Sequence, residues 1–269
     1  MSYLFDPENW EWVTSGNNLR FLLEGFLINL EIAAIAIVLS LIFGLLLALG
    51  RLSRLRPLGV AAGVWVDVWR NLPLIFIILY LFLAAPESWS RAWEDNAPGF
   101  LPEALQSGSV FAGVLALVLY NSAVIAEIMR VGILSLDRGQ GEAAASLGLT
   151  YSQQLRYVIL PQGLRRMVPA TVSQLITLNK DTTLVSIIAI SEVTRAGRTL
   201  SSGFTAFVGG VPAPVLQVFI FIGLLFVITN LALSRLSRRL EIRERKRTGG
   251  TAGPVTGLED QVALAAESS

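Results

Sequence analysis

Charged and polar side chains set within apolar segments are the residues of this chain best suited to chemistry. Lys180 and Asp181 are adjacent, and they follow Ser173, Gln174 and Thr177. At roughly 100° per residue, these five side chains, here called the polar stripe, fall within about 120° of one helix face. Because charge at membrane depth is costly and usually functional, we expect the polar stripe to face neighbouring helices or a water-filled path. The Lys–Asp pair suits the zwitterionic backbone of an amino acid, and it equally suits a structural ion pair that fixes helix packing or a dimer interface.

A second charged pair, Glu127 and Arg130, stands three residues apart near the end of another apolar segment. This spacing puts both side chains on one helix face and predicts an ion pair. Arg70 also borders an apolar segment. We expect its guanidinium to extend to the membrane interface rather than to contact a substrate.

Several kinds of chemistry are missing from the sequence. The chain has no cysteine and no histidine, which excludes thiolate metal sites, His-ligated zinc and a Ser–His protease. It has no G-x-x-x-x-G-K-[ST] motif for ATP, and residues 139–144 fit G-x-G-x-x-A only after an apolar segment, not after the strand that a dinucleotide site needs. No folded basic surface indicates nucleic-acid binding. We therefore expect a protein that is not an enzyme and binds no cofactor or metal.

Composition and charge spacing predict a membrane protein. Hydrophobic residues make up 53% of the 269 residues and charged residues 15%, against roughly a quarter charged in soluble domains. A bilayer core needs about 20 apolar residues in a helix. We predict an all-α integral membrane fold with five transmembrane helices, at Leu23–Leu49, Val64–Ala85, Val110–Ile133, Val168–Ile190 and Val215–Leu233.

Loop charges predict that the N-terminus lies outside the cell and the C-terminus in the cytoplasm, because cytoplasmic loops are rich in Lys and Arg. Basic residues predominate after spans one, three and five, and the loop between spans two and three is acidic. The loop before span five is the exception, since it carries Arg195 and Arg198 beside Glu192.

The predicted spans divide the chain into three parts. We expect residues 1–22 to form an extracytoplasmic segment, 23–240 the transmembrane domain, and 241–269 a cytoplasmic tail that is disordered. Trp10 and Trp12 precede the first span, and we expect them in the aromatic belt of the membrane interface.

The segment between spans three and four is too polar to span, yet its pattern predicts order. Glu142 suits the first turn of a short helix, where a carboxylate favours the helix dipole, and the alanines 143–145 continue it. Gly148 suits the left-handed position that ends a helix. Thr150 then caps a second helix, which Pro161 ends or kinks. The prediction is a helical hairpin that presents a smooth alanine face to the cytoplasm.

This hairpin closely resembles the coupling loop of the membrane permeases of ATP-binding-cassette (ABC) importers. The family signature is Glu-Ala-Ala, three residues, Gly, nine residues, then Ile-x-Leu-Pro. Here it reads Glu142-Ala143-Ala144, Gly148 and Val158-x-Leu160-Pro161, with Val in place of Ile. The alternative is an Ala-rich amphipathic loop that matches by chance.

Three further segments resemble the polar amino-acid branch of that family, so that the resemblance covers about residues 25–239. The first is Trp69–Pro73, which opens span two and has Asn71 where the family usually has glycine. The second is Ala126–Arg130, which ends span three. The third is Lys180–Leu184, in which Thr183 replaces the family's serine. The opening of span two looks closest to glutamate-type permeases, which favours glutamate as the substrate among the polar amino acids.

The resemblance implies partners and a mechanism. Such a permease pairs with a second copy or a related permease in the bacterial plasma membrane. Two cytosolic ATPase subunits use the ATP and each accepts one coupling helix, while an extracellular binding protein delivers the amino acid. The polar stripe is then the candidate substrate path near the axis of the pair. The implied coupling-loop residues are Gly139, Gln140, Glu142, Ala143, Ala144, Gly148, Leu160 and Pro161.

An ion-driven secondary transporter or channel is the alternative function. It would explain the charges within the membrane as an ion path, but it would not explain the coupling-loop pattern. Internal repeats are common in such transporters, and none is convincing here. A protein of this class would transport without an ATPase and would tolerate Ala143→Asp or Gly148→Asp.

Overall fold

Helices are the only regular secondary structure in the residues that the computed structural model describes, which are 6–99, 101–202 and 214–247. A 3₁₀ helix, Pro7–Val13, precedes α1 (Asn18–Arg51). The connecting turns are a 3₁₀ turn at Glu103–Leu105, a π-helical turn at Leu155–Ile159 and a 3₁₀ helix at Thr182–Ile188. The further α-helices are α2 (Arg56–Asn71), α3 (Leu74–Ala84), α4 (Glu87–Asn96), α5 (Gly108–Leu134), α6 (Arg138–Ser146), α7 (Tyr151–Gln154), α8 (Leu160–Asp181), α9 (Val193–Ser201) and α10 (Val215–Arg247).

Three of these helices are each long and apolar enough to cross a bilayer, namely α1, α5 and the Val215–Arg239 part of α10. The pair α2 and α3 passes the same test as one bent unit. These four regions coincide with predicted spans one, three, five and two. Helix α8, at predicted span four, does not pass this test among the described residues, because its sequence includes Arg165, Arg166, Lys180 and Asp181. The count of five spans and the orientation therefore stay predictions.

The second predicted span is two helices rather than one. α2 and α3 meet at an angle of 100°, so the prediction of one helix over Val64–Ala85 is wrong. Leu72 is extended, with ψ of 136°, because a residue before proline is disfavoured in the helical region. Pro73 then precedes α3 and has no N–H with which to continue the helix.

The helical region around predicted span four also has different ends. α8 ends at Asp181, and the chain continues as a 3₁₀ helix before Ala189, whose φ is 66°. The expectation was that Pro161 ends or kinks a helix, and it does not end one, because it is the second residue of α8 and the helical path continues through it. The π-helical turn joins α7 directly to α8, so one continuous helical path leads from the hairpin into this span.

α5 lies at the centre of the fold and packs against α1, α2, α3, α4 and α8. The largest buried cluster joins α1, α3, α5 and the 3₁₀ helix after α8, and its fully buried members include Ile32, Ile78, Leu117 and Val185. α1 and α5 approach closely at Gly44, where a Cβ atom would lie 2.8 Å from the side chain of Ile125. α5 therefore provides the rigid support for the hairpin that follows it.

Both termini differ from the prediction. Trp12 is buried, with 1% of its surface exposed, and it packs against α1, α9 and α10 instead of facing the membrane interface. Its ring meets Phe221 edge-on, with centroids 6.0 Å apart. α10 continues to Arg247, so residues 241–247 of the predicted disordered tail are helical. The rest of that tail, residues 248–269, lies outside the described residues.

Candidate functional site

The predicted hairpin begins with α6, and its first turn differs from expectation. Asp137 caps the helix, because its carboxylate accepts the Gly139 N–H at 2.8 Å. α6 starts at Arg138, so Glu142 lies in the second turn rather than the first. The carboxylate that the helix dipole favours is therefore that of Asp137.

The end of α6 is as predicted. Gly148 has φ of 77°, and its N–H donates to the Ala145 carbonyl at 2.9 Å. A Cβ at this glycine would meet nothing within 4 Å, so the backbone angle alone requires glycine here. Thr150 then caps α7, where its N–H and hydroxyl both donate to Oε1 of Gln153, at 2.8 and 3.0 Å.

The tip of the hairpin exposes small and apolar side chains. Ala143 and Ala145 are exposed as predicted, whereas Ala144 is buried. Leu147, directly before the terminating Gly148, has 82% of its surface exposed. An apolar side chain held out from the protein in this way suits insertion into a groove on a partner. The sequence analysis missed Leu147, although its place beside the helix-ending glycine was a usable signal.

Side-chain contacts hold the hairpin against the ends of α5 and α8. Gln162 donates to Oε1 of Gln140 at 3.0 Å and so ties α6 to α8. Arg166 donates at 3.0 Å to the carbonyl of the residue that caps α5. Gly163 packs so tightly on α5 that a Cβ would lie 3.0 Å from Cα of Ile133. The hairpin is therefore firmly attached to two of the long helices.

A third attachment links the hairpin to the loop between α1 and α2. The Tyr151 hydroxyl donates to the Leu52 carbonyl at 2.9 Å. The guanidinium of Arg54 lies over the Tyr151 ring, 4.0 Å from its centroid. Nothing in the sequence indicated this contact, because the residues that form it are 99 positions apart.

The polar stripe lies largely on a side of α8 that this chain's own helices leave open. Ser173, Thr177 and Lys180 are exposed, and Gln174 and Asp181 are partly buried. Of the two expected surroundings, neighbouring helices or a water-filled path, the exposed members do not contact the neighbouring helices of this chain, and the water-filled path stays a prediction for them. The expectation of neighbouring helices is correct for Gln174, whose amide donates to Asn121 of α5 at 2.8 Å.

Lys180 and Asp181 do not form a direct ion pair. The ion pairs of 4.0 Å or less in the described part of the chain do not include them. The buried Asn179 beside them instead donates to Asn230 of α10 at 3.1 Å. Lys180, which is exposed, can therefore be reached by groups outside this chain.

Glu127 is the centre of a charge cluster that sequence analysis recognised only in part. Arg130 donates to both its carboxylate oxygens, at 2.9 and 2.7 Å, which confirms the predicted pair. Arg51 donates to the same carboxylate at 2.7 Å, and it lies 3.6 Å from Asp67. Arg70 approaches Glu127 to 3.9 Å, a contact that the sequence did not predict, and its place at the membrane interface stays a prediction. This charge cluster joins α1, α2 and α5.

A buried polar network lies at the start of α9, where it joins α9 to α1. Glu192 is fully buried and caps α9, accepting the N–H groups of Thr194 and Arg195 at 2.9 and 2.8 Å. Burial raises the pKa of the Glu192 carboxyl, while these N–H donors act to lower it. Asn29 of α1 accepts the N–H of Val193 at 3.0 Å. In the described ranges, no three His, Cys, Asp or Glu side chains come together as a metal site.

Known proteins resemble this chain over most of its length. The family model described as "binding-protein-dependent transport system inner membrane component" matches residues 40–242. The probable glutamine ABC transporter permease protein GlnP of Bacillus subtilis is 39% identical over 230 residues, covering 86% of this chain and 96% of that protein. The glutamate/aspartate import permease protein GltK of Escherichia coli is 30% identical over 234 residues, covering 87% and 98%.

A solved structure resembles the fold as well. One chain in a crystal structure of an amino acid ABC transporter with histidines matches with a TM-score of 0.68 and 28% identity, covering 85% of this chain and 94% of that one. The family match includes both the hairpin and the polar stripe. The chain is therefore a transport subunit and not an enzyme, and it belongs to the inner membrane components of binding-protein-dependent transport systems as a permease of an ABC importer for amino acids.

Proposed function

We propose that this permease carries a polar amino acid into the cell by alternating access, driven by ATPase subunits that dock on its hairpin. It crosses the membrane five times, with its N-terminus outside and its C-terminus in the cytoplasm. Two cytosolic ATPases bind and hydrolyse the ATP, a second permease copy or paralogue completes the pair, and an extracellular binding protein delivers the substrate. The observation that carries this proposal is the exposed apolar tip, Leu147 with Ala143 and Ala145, on a firmly attached hairpin.

The attachments of the hairpin support its role in transmission. Because α7, the π-helical turn and α8 form one continuous helical path, a displacement of the tip moves α8 and the polar stripe with it. The Gln162–Gln140 contact ties α6 to α8, so that α6 follows the same displacement. The Tyr151–Leu52 contact extends the movement to α1. Gly139, Glu142, Leu160 and Pro161 contribute to this unit by forming its helices and turns.

Two substrates are favoured by different observations. The opening of span two favours glutamate, and the relative with 39% identity favours glutamine, because that protein is a probable glutamine permease. The charges of Lys180 and Asp181 match the α-carboxylate and α-ammonium that both amino acids share. Uptake of labelled glutamate into vesicles, with unlabelled glutamine as competitor, separates the two candidates through their relative inhibition constants.

The ATPase docking is tested by co-purification from the source membranes in mild detergent. We expect a P-loop ATPase to accompany the wild-type chain, and its recovery to fall at least about tenfold with Leu147→Asp or Ala143→Asp, because an uncompensated charge at a buried contact costs more than about 1.4 kcal/mol. Ala92→Asp, at an exposed position of α4, is the matched control and should leave recovery unchanged. Equal recovery with all variants would rule out docking at this tip.

A further inference from the structure

A cavity of about 700 Å³ opens where the end of α1, the start of α2 and the hairpin meet. The apolar residues that line the cavity include Leu46, Leu55 and Leu58, whose side chains are all exposed. Its polar lining residues include Arg54, Thr150 and Ser152. The cavity therefore combines an apolar wall, continuous with a helix long enough to cross the bilayer, with a basic and hydroxyl-bearing end.

Among the described residues, no ion pair neutralises the Arg54 charge at this cavity. Residues 51–57 contain Arg51, Arg54 and Arg56 and no acidic residue. Arg51 is engaged by Glu127 in the charge cluster. In the described part of the chain, the ion pairs of 4.0 Å or less do not include Arg54, whose guanidinium rests on the Tyr151 ring. A cationic group next to hydroxyl groups is complementary to a phosphate oxyanion.

We propose that this cavity binds an anionic phospholipid from the membrane leaflet on the hairpin side. The phosphate is held by Arg54 with the hydroxyl of Ser152, and an acyl chain lies along the leucine wall. A free phosphate ion would satisfy the arginine but would leave the exposed leucines in contact with water, which disfavours it as the occupant. The proposal does not depend on which amino acid is transported or on ATPase docking.

The location gives the lipid a structural consequence. Leu52 and Tyr151, which link α1 to the hairpin, both line the cavity. A lipid bound there buries the attachment away from water and so strengthens its hydrogen bond. Anionic lipid in this leaflet should therefore fix the hairpin against α1.

Binding is measured on the purified full chain in neutral detergent micelles, titrated with a fluorescent short-chain phosphatidylglycerol. We expect Arg54→Gln to raise the Kd roughly fivefold, the effect of about one basic residue near an anionic lipid, and Arg54→Lys to raise it less. Arg156→Gln is the matched control, because Arg156 also lies over a tyrosine ring, 5.7 Å from the Tyr157 centroid, but does not line the cavity. It should leave the Kd unchanged.

Two further measurements distinguish a phospholipid from a free phosphate ion as the occupant of the cavity. Leu55→Asn keeps Arg54 and removes part of the leucine wall, so it should weaken lipid binding even if Arg54→Gln fails to fold. Inorganic phosphate at equal concentration should not displace the lipid. The proposal is overturned if phosphatidylcholine binds equally well, if inorganic phosphate displaces the probe, or if Arg54→Gln and Arg156→Gln give the same Kd.

Discussion

Lys180 is an exposed charge on α8. The sequence left two roles open for it, which are binding of an amino acid and a structural ion pair. Lys180 has no carboxylate within 4.0 Å in the described part of the chain. A lysine that fixed the packing of this chain alone would need such a partner, because an unpaired charge at membrane depth is costly. The two roles that we propose to test for Lys180 are therefore binding of the substrate and contact with the proposed second permease.

The Lys180→Gln variant separates these two roles. If Lys180 binds the substrate carboxylate, we expect the KM for uptake by the reconstituted importer to rise about tenfold, since a charge-assisted hydrogen bond contributes about 1.5 kcal/mol or more. Arg20→Gln, which removes an exposed charge paired with Glu24, should leave KM unchanged. An unchanged KM, together with dissociation of the permease pair on size-exclusion chromatography, would assign Lys180 to the interface.

At the scale of elements, the charge cluster is the contact that holds the bent pair α2 and α3 in place. α2 contributes Asp67, which lies 3.6 Å from Arg51 of α1, and Arg70, which lies 3.9 Å from Glu127 of α5. Glu127 and Arg51 have side chains only 20% and 18% exposed, so water replaces their contacts poorly. Removal of the central carboxylate leaves three arginines close together with only Asp67 to balance them.

We expect Glu127→Gln to lower the free energy of unfolding by roughly 2–4 kcal/mol, somewhat less than breaking a fully buried ion pair. The reason is that Gln is uncharged and cannot compensate the three nearby guanidinium groups. Glu24→Gln removes an exposed pair with Arg20 and should cost less than about 1 kcal/mol. The two losses of stability are compared through the unfolding temperature of each purified variant. Equal shifts of that temperature for the two variants would contradict the role of the charge cluster.

At the scale of the whole molecule, the arrangement of the hairpin and α4 at opposite sides of the membrane is the central prediction. The loop charges predict α4 outside the cell and the hairpin in the cytoplasm. The chain contains no cysteine, so single cysteines can report the side on which each position lies without altering the rest of the protein.

We expect Asp95→Cys, at an exposed site on α4, to react with a membrane-impermeant maleimide in intact cells. Ser146→Cys, exposed on the hairpin, should react only after the membrane is opened. Glu8→Cys tests the N-terminus in the same way and should react in intact cells. If Ser146→Cys is labelled in intact cells while Asp95→Cys is protected, the orientation is inverted.

The sequence by itself determined the features that depend on local chemistry. Apolar segment lengths located the long helices, since a bilayer core sets the number of apolar residues that a span needs. Gly148 marked the end of α6 because few other residues adopt its left-handed backbone angle. The three-residue spacing of Glu127 and Arg130 was sufficient to predict their pairing, because the helix alone brings them together.

Only the tertiary structure decided which distant residues meet and which surfaces remain open. Arg51 reaches Glu127 across 76 positions, and Tyr151 reaches Leu52 across 99, and no local pattern encodes such approaches. The burial of Trp12 and the exposure of Leu147 likewise depend on what packs beside each residue rather than on its type. The sequence analysis ran span two through Pro73 as one helix, and only the structure shows that α2 and α3 meet at 100° and that both pack on the central helix.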